Sequence, residues 1–288
     1  MIGVDWGTTN FRAYRFRAGA VVERIDRGPG ILAIEAGGYE QALRTAVAAW
    51  LEQGERRILM SGMVGSRQGW VEAAYLPCPA DPAALAHAAR RVAFEGADVR
   101  ILPGLCCGGA VPEVMRGEEV QIAGALAATG SDASICLPGS HSKWARVEGG
   151  RVVSFTTHMT GEAFAALRGH TILGRLMVEA PHDTAAFAEG VERAAAPGGL
   201  LHHLFGVRTL GLFARLPEDK AGSYLSGLLI GHEVESMAPR GRVYLVGTPA
   251  LCGLYAAALE RRGVEGVVVE HDAAAAGLVS IGEHVAWD

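Results

Sequence analysis

Residues 1–16, MIGVDWGTTNFRAYRF, place a dense polar turn between two apolar strands. Residues 2–4 and 11–16 have the apolar pattern of strands, whereas Asp5 and Gly7 begin a segment of acidic, small and polar residues. One explanation is a β-hairpin in which Gly7 adopts a backbone angle that other residues avoid. The other is a phosphate-binding turn, because small residues let backbone N–H groups and hydroxyls approach an anion.

The composition indicates an ordinary globular protein with enough apolar material for a core. The chain has 288 residues, of which 50% are hydrophobic, and this length suits one large domain or two small ones. The formal net charge is -5 and no long Lys/Arg run is present. These features argue against nucleic acid and an anionic membrane surface as partners.

The cysteines and the N-terminal segment indicate a cytoplasmic location. The five cysteines are odd in number and form no C-x-x-C pair, so neither a disulfide framework nor a zinc site is expected. The first residues lack the pattern of a signal peptide, and no apolar run approaches the ~20 residues of a membrane helix. We therefore expect reduced thiols and a cytoplasmic protein.

Strands alternate with helices along the first half of the chain. Asp81 as N-cap and Pro82 at the first helical position predict a helix at 82–94. The other predicted elements are a strand at 20–25, a helix at 39–51, strands at 57–60 and 99–102, and a helix at 118–128.

The N-terminal pattern returns in ICLPGSHSKWARV, residues 135–147. With one residue deleted, Pro138 aligns with Asp5 and Gly139 with Gly7, and the same order of strand, polar turn and strand follows. This order predicts a duplicated α/β unit with helices on both faces of a mixed or parallel sheet. The elements predicted here are strands at 134–137, 143–147, 151–156, 242–246 and 264–269, helices at 161–168, 184–195, 200–216, 220–236 and 250–261, and a final helix.

The paired turns predict two phosphate-binding segments that oppose each other across a cleft. Mg²⁺ keeps most of its waters and needs only one or two protein carboxylates, and Asp5 at the end of the first strand is placed to supply one. The predicted phosphate ligands are Gly7, Thr8, Thr9 and Asn10 in the first turn, and Gly139, Ser140, His141 and Ser142 in the second.

A third turn, LVGTPA at residues 245–250, joins an apolar strand to a helix. Gly247, Thr248 and Pro249 are candidates to contact the adenosine of a nucleotide. The alternative is an ordinary turn with Thr248 as N-cap and Pro249 at the first helical position. The two phosphate turns favour the nucleotide interpretation.

Several motifs resemble known kinases. VDWGTTNFRAYRF, LPGSHSKWARV and LVGTPALCG resemble the phosphate and adenosine elements of the superfamily that includes actin, hexokinase, glycerol kinase and the heat-shock ATPases. SGMVGSRQGW, VMRGEEVQIAGAL, LPGSHSKW, MTGEAF and SYLSGLLIGHE closely resemble the 2-keto-3-deoxygalactonate kinases (2-dehydro-3-deoxygalactonokinases). The resemblance implies two ribonuclease-H-like (actin-like ATPase) α/β halves, residues 1–130 and 131–288, with mixed sheets, flanking helices and a cleft between them.

The resemblance also implies an activity. It is the ATP-dependent phosphorylation of the 6-hydroxyl of 2-keto-3-deoxygalactonate in galactonate catabolism, with ATP and Mg²⁺ as cofactors and a sugar acid as partner. A homo-oligomer is allowed, and galactonate and gluconate derivatives are not distinguished. The alternatives are an exopolyphosphatase-like phosphohydrolase, another small kinase of the superfamily such as a pantothenate kinase, and a non-enzymatic actin-like nucleotide switch.

Three glutamates are candidates to accept the proton of the attacking hydroxyl. Glu118 and Glu119 occupy about the position where sugar kinases of the superfamily place their catalytic acid, and Glu119 is preferred. Two glutamates in a first helical turn are also favoured by the helix dipole alone. Glu162 of MTGEAF is the rival, although it could equally cap the helix that follows Thr160.

The resemblance makes Lys143 a candidate to neutralise phosphate charge, the alternative being a solvated strand lysine. Pro138 stands where many relatives carry a second aspartate. A second carboxylate on the metal is therefore in doubt unless Glu118 or Glu119 supplies it.

The substrate carboxylate is best matched by a planar arginine. Arg67 lies in SRQGW, where Gln68 could bind hydroxyls and Trp70 could cover the carbon backbone. The alternative is a surface loop whose arginine faces water. Arg116 is the second candidate.

Overall fold

The computed structural model describes residues 1–288 as a mixed α/β protein. The strands are β1 (Ile2–Trp6), β2 (Phe11–Arg17), β3 (Ala20–Ile25), β4 (Arg57–Ser61), β5 (Leu76–Pro77), β6 (Arg90–Val92), β7 (Asp98–Ile101), β8 (Leu105–Cys107), β9 (Glu113–Met115), β10 (Ala133–Leu137), β11 (Ser142–Glu148), β12 (Arg151–His158), β13 (Arg242–Leu245) and β14 (Glu265–Val268). The helices are α1 (Tyr39–Ala46), α2 (Ala48–Glu52), α3 (Pro82–His87), α4 (Glu118–Thr129), α5 (Thr160–His170), α6 (Thr184–Ala194), α7 (Gly199–Leu212), α8 (Glu218–Met237), α9 (Pro249–Glu260) and α10 (Ala273–Gly282).

Two large sheets share one strand order. The first sheet runs β3-β2-β1-β4-β7-β6 and the second runs β12-β11-β10-β13-β14. In the first sheet β1 lies between β2 and β4, and in the second β10 lies between β11 and β13. Parallel pairing then continues from β1 through β4 to β7, and from β10 through β13 to β14. The predicted duplicated α/β unit is confirmed by this shared order. A third sheet, β5-β8-β9, was not predicted.

Contacts divide the chain into two compact units. The first contains residues 1–132, 145–155 and 271–288, and the second contains residues 133–144 and 156–270. The last helix of the chain therefore belongs to the first unit.

The core of the first unit forms because alternate residues of β1 are apolar and point to one face. Ile2, Val4 and Trp6 are fully buried, and the Trp6 ring meets the Phe11 ring edge to face with centroids 5.0 Å apart. Helices α1 and α2 cover this face with Leu43 and Trp50, which are also buried.

Helices α4 and α10 of the first unit pack with their backbones in contact. A Cβ at Gly124 would lie 1.9 Å from the Ala273 carbonyl oxygen, and a Cβ at Gly277 would lie 1.8 Å from the Val120 carbonyl oxygen. Only glycine permits this approach, so the packing fixes α4 against α10.

The core of the second unit lies between its sheet and helices α6, α8 and α9. Phe187, Val234 and Tyr255 are buried there together with Val243 and Leu245 of β13. None of the helices in the 288-residue structure is both long enough and apolar enough to cross a membrane.

Three predicted helices are wrong in extent. The predicted helix at 82–94 is α3, which starts as expected because the Ala84 N–H donates to Asp81 Oδ1 at 2.8 Å, but it ends at His87. Residues 90–92 instead form β6, because the edge of β7 offers them ladder hydrogen bonds.

The predicted helix at 39–51 is interrupted at Val47, whose φ of -111° and ψ of 18° are not helical. The helix predicted at 200–216 ends at Leu212, shortly before Ala214 takes a positive φ of 54°.

Candidate active site

Asp5 lies at the carboxyl end of β1, a central strand of the first sheet. Its neighbours in register are Arg12 on β2 and Ser61 on β4. The carboxyl is half-buried, with Oδ2 3.7 Å from Arg12 Nη1. Since the ends of such strands are where α/β proteins bind ligands, this position suits the predicted metal-site role.

Two backbone hydrogen bonds made by Gly7 fix the turn after β1. The Gly7 N–H donates to the Asn10 carbonyl at 2.9 Å, and the Gly7 carbonyl accepts from the Ile31 N–H at 3.0 Å. Thr8, Thr9 and Asn10 are exposed. Gly7 does not have a positive φ, so the special backbone angle of the hairpin explanation is wrong, although β1 and β2 do form an antiparallel hairpin.

Two glycines bring the start of α4 close to Asp5. Gly62 follows β4 with a φ of +92°, and a Cβ there would lie 2.8 Å from the Trp6 carbonyl oxygen and 3.3 Å from Asp5 Oδ1. Gly117, with a φ of +109°, precedes α4, and its Cβ would lie 3.5 Å from Gly62 Cα. The two glutamates that begin α4 are therefore placed beside the acidic end of β1.

Glu119 is a buried carboxyl that bonds to its own helix start. It is 1% exposed, and the Gly117 N–H donates to Oε2 at 2.7 Å and Oε1 at 2.9 Å. Burial raises the pKa of Glu119 to about 8, the neighbouring Glu118 charge adds to the rise, and the Gly117 N–H opposes it. Glu118 is less buried and accepts from the Arg116 N–H at 3.0 Å.

The second turn contacts the start of α5. The Glu162 N–H donates to the Ser140 carbonyl at 3.1 Å, and the Glu162 carboxylate pairs with His141 Nε2. The position before α5 is occupied by Met159, so the alternative of Glu162 as a capping partner for Thr160 is wrong. Lys143 on β11 is only 5% exposed, so the alternative of a solvated strand lysine is also wrong.

The third turn meets the second inside the same unit. A Cβ at Gly247 would lie 3.5 Å from the Pro138 carbonyl oxygen, and the Val246 N–H donates to the Cys136 carbonyl at 3.0 Å. Thr248 is the N-cap residue of α9 without a side-chain capping bond, and Pro249 is the first helical residue. All three turn residues are exposed.

A cavity of about 480 Å³ opens beside the second turn. Gly139, Ser140 and Thr160 lie at one end of it. Its walls combine apolar side chains with a few polar ones, namely Phe164, Leu229, Leu254, Arg168, Asp219 and Ser223. A mostly apolar cavity with a few polar groups is typical of a small-molecule site.

The family model for 2-keto-3-deoxy-galactonokinase matches residues 5–281. The chain belongs to this family. The 2-dehydro-3-deoxygalactonokinase of Escherichia coli strain K12 is 33% identical over 291 residues, which cover 99% of this chain and 98% of the relative.

One solved structure agrees with the 2-keto-3-deoxy-galactonokinase assignment, and a more distant one shares the fold. A Sinorhizobium meliloti structure, provisionally described as a 2-dehydro-3-deoxygalactonokinase, is 36% identical with a TM-score of 0.90 and covers 98% of this chain and 97% of its own. A Porphyromonas gingivalis structure, provisionally described as an N-acetylglucosamine kinase, is 15% identical with a TM-score of 0.52. The match covers 99% of this chain and 98% of that structure's chain. The second likeness concerns the fold alone, and the predicted α/β class is confirmed.

In this 2-keto-3-deoxy-galactonokinase family member, the loop that carries Arg67 packs on the first core. Tyr39 donates its hydroxyl proton to the Gln68 carbonyl at 2.9 Å, and its ring stacks on Trp70 at 6.4 Å. Arg67 itself is 87% exposed and pairs with Glu72 at 3.0 Å. The loop is thus ordered while its arginine faces water.

Arg116 lies in a more enclosed setting than Arg67. Its Nη2 donates to the Ala73 carbonyl at 2.8 Å, and its guanidinium carbon lies 4.4 Å from the Tyr75 ring centre. Nε and Nη1 are buried without a hydrogen-bond partner, as is Ser66 Oγ. Buried donors without partners mark a place for water or a ligand anion. Ser66 begins the SRQGW motif but was not among the predicted site residues.

The acidic end of β1 fits a cation that binds mainly to phosphate and water. Burial raises the pKa of Asp5; Arg12 opposes the rise, and Asp272 and Glu118 add to it. No group of three or more His, Cys, Asp or Glu side chains is arranged to hold a metal. A hard cation such as Mg²⁺ would relieve the carboxylate repulsion with a single protein ligand.

The structure collects the candidate residues into two groups, one in each unit. Asp5, the turn at 7–10, Glu118 and Glu119 belong to the first unit, with Arg116 two residues before Glu118. The turn at 139–142, Glu162 and the turn at 247–249 belong to the second. Arg67 also belongs to the first unit, but its side chain is 87% exposed and pairs with Glu72.

Proposed function

We propose that this chain transfers the γ-phosphoryl group of ATP to the 6-hydroxyl of 2-keto-3-deoxygalactonate, forming ADP and 2-keto-3-deoxy-6-phosphogalactonate. Galactonate catabolism and a cytoplasmic location are the expected setting. The observation that supports the proposal best is the group formed by Asp5, the turn at 7–10 and the two glutamates that begin α4, in a member of this kinase family.

Phosphoryl transfer needs charge neutralisation and alignment more than covalent chemistry. Backbone N–H groups of the turns at 7–10 and 139–142 and the exposed hydroxyls of Thr8, Thr9 and Ser140 would hold the phosphates, with Lys143 as a positive partner. The Ser142 hydroxyl is buried and bonds inside the unit instead. Asp5 would orient Mg²⁺, which supplies electrostatic stabilisation of the transferred phosphoryl group when bound.

The hydroxyl proton must pass to a carboxylate. We assign this role to Glu119, with Glu118 and Glu162 as alternatives. A carboxyl whose pKa is about 8 is well matched to proton transfer near neutral pH. Its burial also keeps bulk water away from the proton acceptor, which limits wasteful transfer to water.

The adenosine of ATP would occupy the second unit. The cavity of about 480 Å³ is of suitable size, starts at the 139–142 turn and has apolar walls for a base. Gly247, Thr248 and Pro249 lie at the start of α9, which also lines this cavity through Leu251 and Leu254.

ATP consumption measured with and without 2-keto-3-deoxygalactonate tests the function. We expect turnover that depends on this sugar acid and on Mg²⁺, with the gluconate epimer as a specificity comparison. Turnover with polyphosphate, or turnover independent of every sugar acid, would contradict the proposal and favour the phosphohydrolase. Polymerisation on ATP addition would favour the nucleotide switch.

Arg116→Lys is expected to raise the KM for the sugar acid by roughly 30-fold or more, because losing a fitted guanidinium partner for a buried carboxylate costs at least about 2 kcal/mol. The KM for ATP should stay near the wild-type value. Steady-state kinetics with each substrate varied in turn measures both.

Arg67→Ala is the comparison, since Arg67 is exposed and already paired with Glu72. It should change the sugar-acid KM by less than about 3-fold, in line with a weak surface pair. The opposite order of effects would assign the substrate carboxylate to Arg67, with Gln68 and Trp70 as its neighbours.

We also propose that a second copy of the chain covers the exposed face of α7. Leu201, Phe205 and Leu212 lie along one side of this helix and Phe213 follows it, with exposures of 84%, 57%, 58% and 78%. The large side chains of two such faces would remove on the order of 1,000 Å² from water, close to the lower size of a specific interface.

Light scattering after size-exclusion chromatography should therefore give a dimer mass. The double substitution Leu201→Glu and Phe205→Glu should give a monomer. Val111→Glu, which changes an 80% exposed side chain of the first unit, is the matched control and should leave the mass unchanged. A monomeric wild-type protein would contradict this interface.

A further inference from the structure

Glu233 on α8 is a buried carboxylate that receives hydrogen bonds from several elements at once. It is 3% exposed. Trp144 Nε1 donates to Oε1 at 2.7 Å, and Tyr255 donates its hydroxyl proton to Oε2 at 2.7 Å. Ser142 donates to the same oxygen at 3.3 Å, and the Thr160 hydroxyl also donates to it. The single Ser142 proton is shared between this carboxylate oxygen and the Tyr255 oxygen 2.8 Å away, because Tyr255 gives its own proton to Glu233.

Each hydroxyl donor belongs to a different part of the proposed nucleotide subsite. Ser142 ends the second turn and begins β11. Thr160 begins α5, whose Glu162 holds the Ser140 carbonyl and pairs with His141. Tyr255 lies on α9, the helix that starts at the third turn. Thr160 and Tyr255 also line the cavity beside that subsite.

Burying a carboxylate is costly, and an apolar residue would fill the same position without that cost. Hydrogen bonds from the surrounding donors offset the cost of burying Glu233 only when all of these donors reach its carboxylate. A single acceptor thereby fixes where the second turn, α5 and α9 stand relative to one another. The nearest of these partners along the chain, Tyr255, is 22 residues away from Glu233.

We propose that Glu233 is a positioning residue for nucleotide binding. It acts through Ser142, Thr160 and Tyr255, which hold the second turn and α9 in the arrangement that accepts the nucleotide. This inference rests on the proposed function for the location of the nucleotide in the second unit. It adds a residue outside the three turns on which the binding of ATP depends.

Glu233→Ala is expected to raise the Kd for ADP by about 10-fold or more, because the common acceptor of Ser142, Thr160 and Tyr255 is removed and several hydrogen bonds to a charged group are lost together. Glu233→Gln should have an intermediate effect. Its amide oxygen can accept from the Trp144 N–H, while its NH₂ group faces hydroxyls, which are able to accept. The conservative variant should therefore rescue part of the binding.

Isothermal titration with ADP is the main measurement, since it does not depend on sugar-acid turnover. Glu235→Gln is the matched control: it makes the same chemical change on the same helix, where Glu235 pairs with Arg262. It should leave the Kd for ADP unchanged. In kinetics, the Glu233 variants should raise the KM for ATP while the KM for the sugar acid stays within about twofold of wild type.

If Glu233→Ala does not fold, Tyr255→Phe and Ser142→Ala each remove one donor and should each raise the Kd for ADP by about 3-fold. A lowered melting temperature with an unchanged Kd for ADP in all folded variants would overturn the inference and leave a structural role. An equal rise in both KM values would also overturn it. Failure of the wild-type protein to bind ADP would instead count against the proposed function.

Discussion

Asp5→Asn is expected to lower kcat by about 10²- to 10³-fold, the size of effect seen when a group that stabilises transition-state charge is removed. The physical reason is that Asp5 supplies the carboxylate at the end of β1, where Pro138 leaves the second turn without one. The variant should also need a higher Mg²⁺ concentration for half-maximal rate. Initial rates across a Mg²⁺ series measure both effects.

The same substitution should leave the fold intact and raise its stability. Burial raises the pKa of Asp5, and the charges of Asp272 and Glu118 raise it further against the opposing effect of Arg12. The ionised carboxyl is therefore unfavourable in the folded state at neutral pH, and a neutral amide removes that cost. We expect a melting temperature higher by ~2–4 °C for each kcal/mol relieved.

Asp26→Asn is the matched control for Asp5→Asn. Asp26 is 52% exposed and pairs with Arg24 and Arg12 on the surface of the same sheet. Its substitution should change neither the rate nor the Mg²⁺ requirement. If the Asp5→Asn enzyme has a rate within about threefold of wild type, Asp5 does not belong to the metal site.

Glu119→Gln is expected to lower kcat by ~10²-fold or more, since it removes the proposed proton acceptor. In the wild-type enzyme kcat should rise with pH as Glu119 ionises, with a midpoint set by its pKa of about 8. This dependence should disappear in the variant. Rates of both enzymes at saturating substrates, measured from weakly acidic to weakly alkaline pH, show whether this dependence is present in the wild type and absent in the variant.

The pKa of Glu119 also predicts how stability changes with pH. The folded state raises this pKa from 4.5 to about 8, so the stabilising form is the protonated one. Its contribution is complete below about pH 4.5 and is lost as the pH rises to about 8, a total of roughly 5 kcal/mol. Urea unfolding of wild type and Glu119→Gln at several pH values should show a steeper loss in the wild type.

Glu118→Gln is the neighbouring comparison. Glu118 is less buried than Glu119, and both side chains bond to N–H groups just before α4. A near-normal rate for Glu119→Gln together with a strong loss for Glu118→Gln would move the proton acceptor to Glu118. A near-normal rate for both would move it to Glu162.

The repeated order of strands and polar turns was predictable because it is local. The small residues of 7–10 and 138–142 follow apolar strands in both halves, and this pattern survives without knowledge of any contact. Strand β6 was not predictable in the same way. Residues 90–92 continue an apparently helical pattern, and only the open edge of β7 makes the strand the better choice.

The sequence predicts which residue types belong to the candidate site, but it does not predict how exposed each side chain is or which groups it contacts. Arg67 and Arg116 are equivalent as sequence letters, yet one is 87% exposed and the other has buried donors without partners. Glu233 ends the SYLSGLLIGHE motif, but its role could not be predicted because its donors include Ser142, 91 residues away. Convergence of distant segments on one side chain becomes visible only once the chain is folded.

The packing of α10 on α4 has a consequence for biosynthesis. The helix that begins with Glu118 and Glu119 needs the Gly277 surface of α10, which the ribosome makes after the entire second unit. At ordinary translation rates the chain from residue 133 onward takes on the order of ten seconds to emerge. During that interval the second unit can fold from segments already made, while the first waits for its last helix. The start of α4, with Glu118 and Glu119, therefore completes its packing only after the second unit has been made.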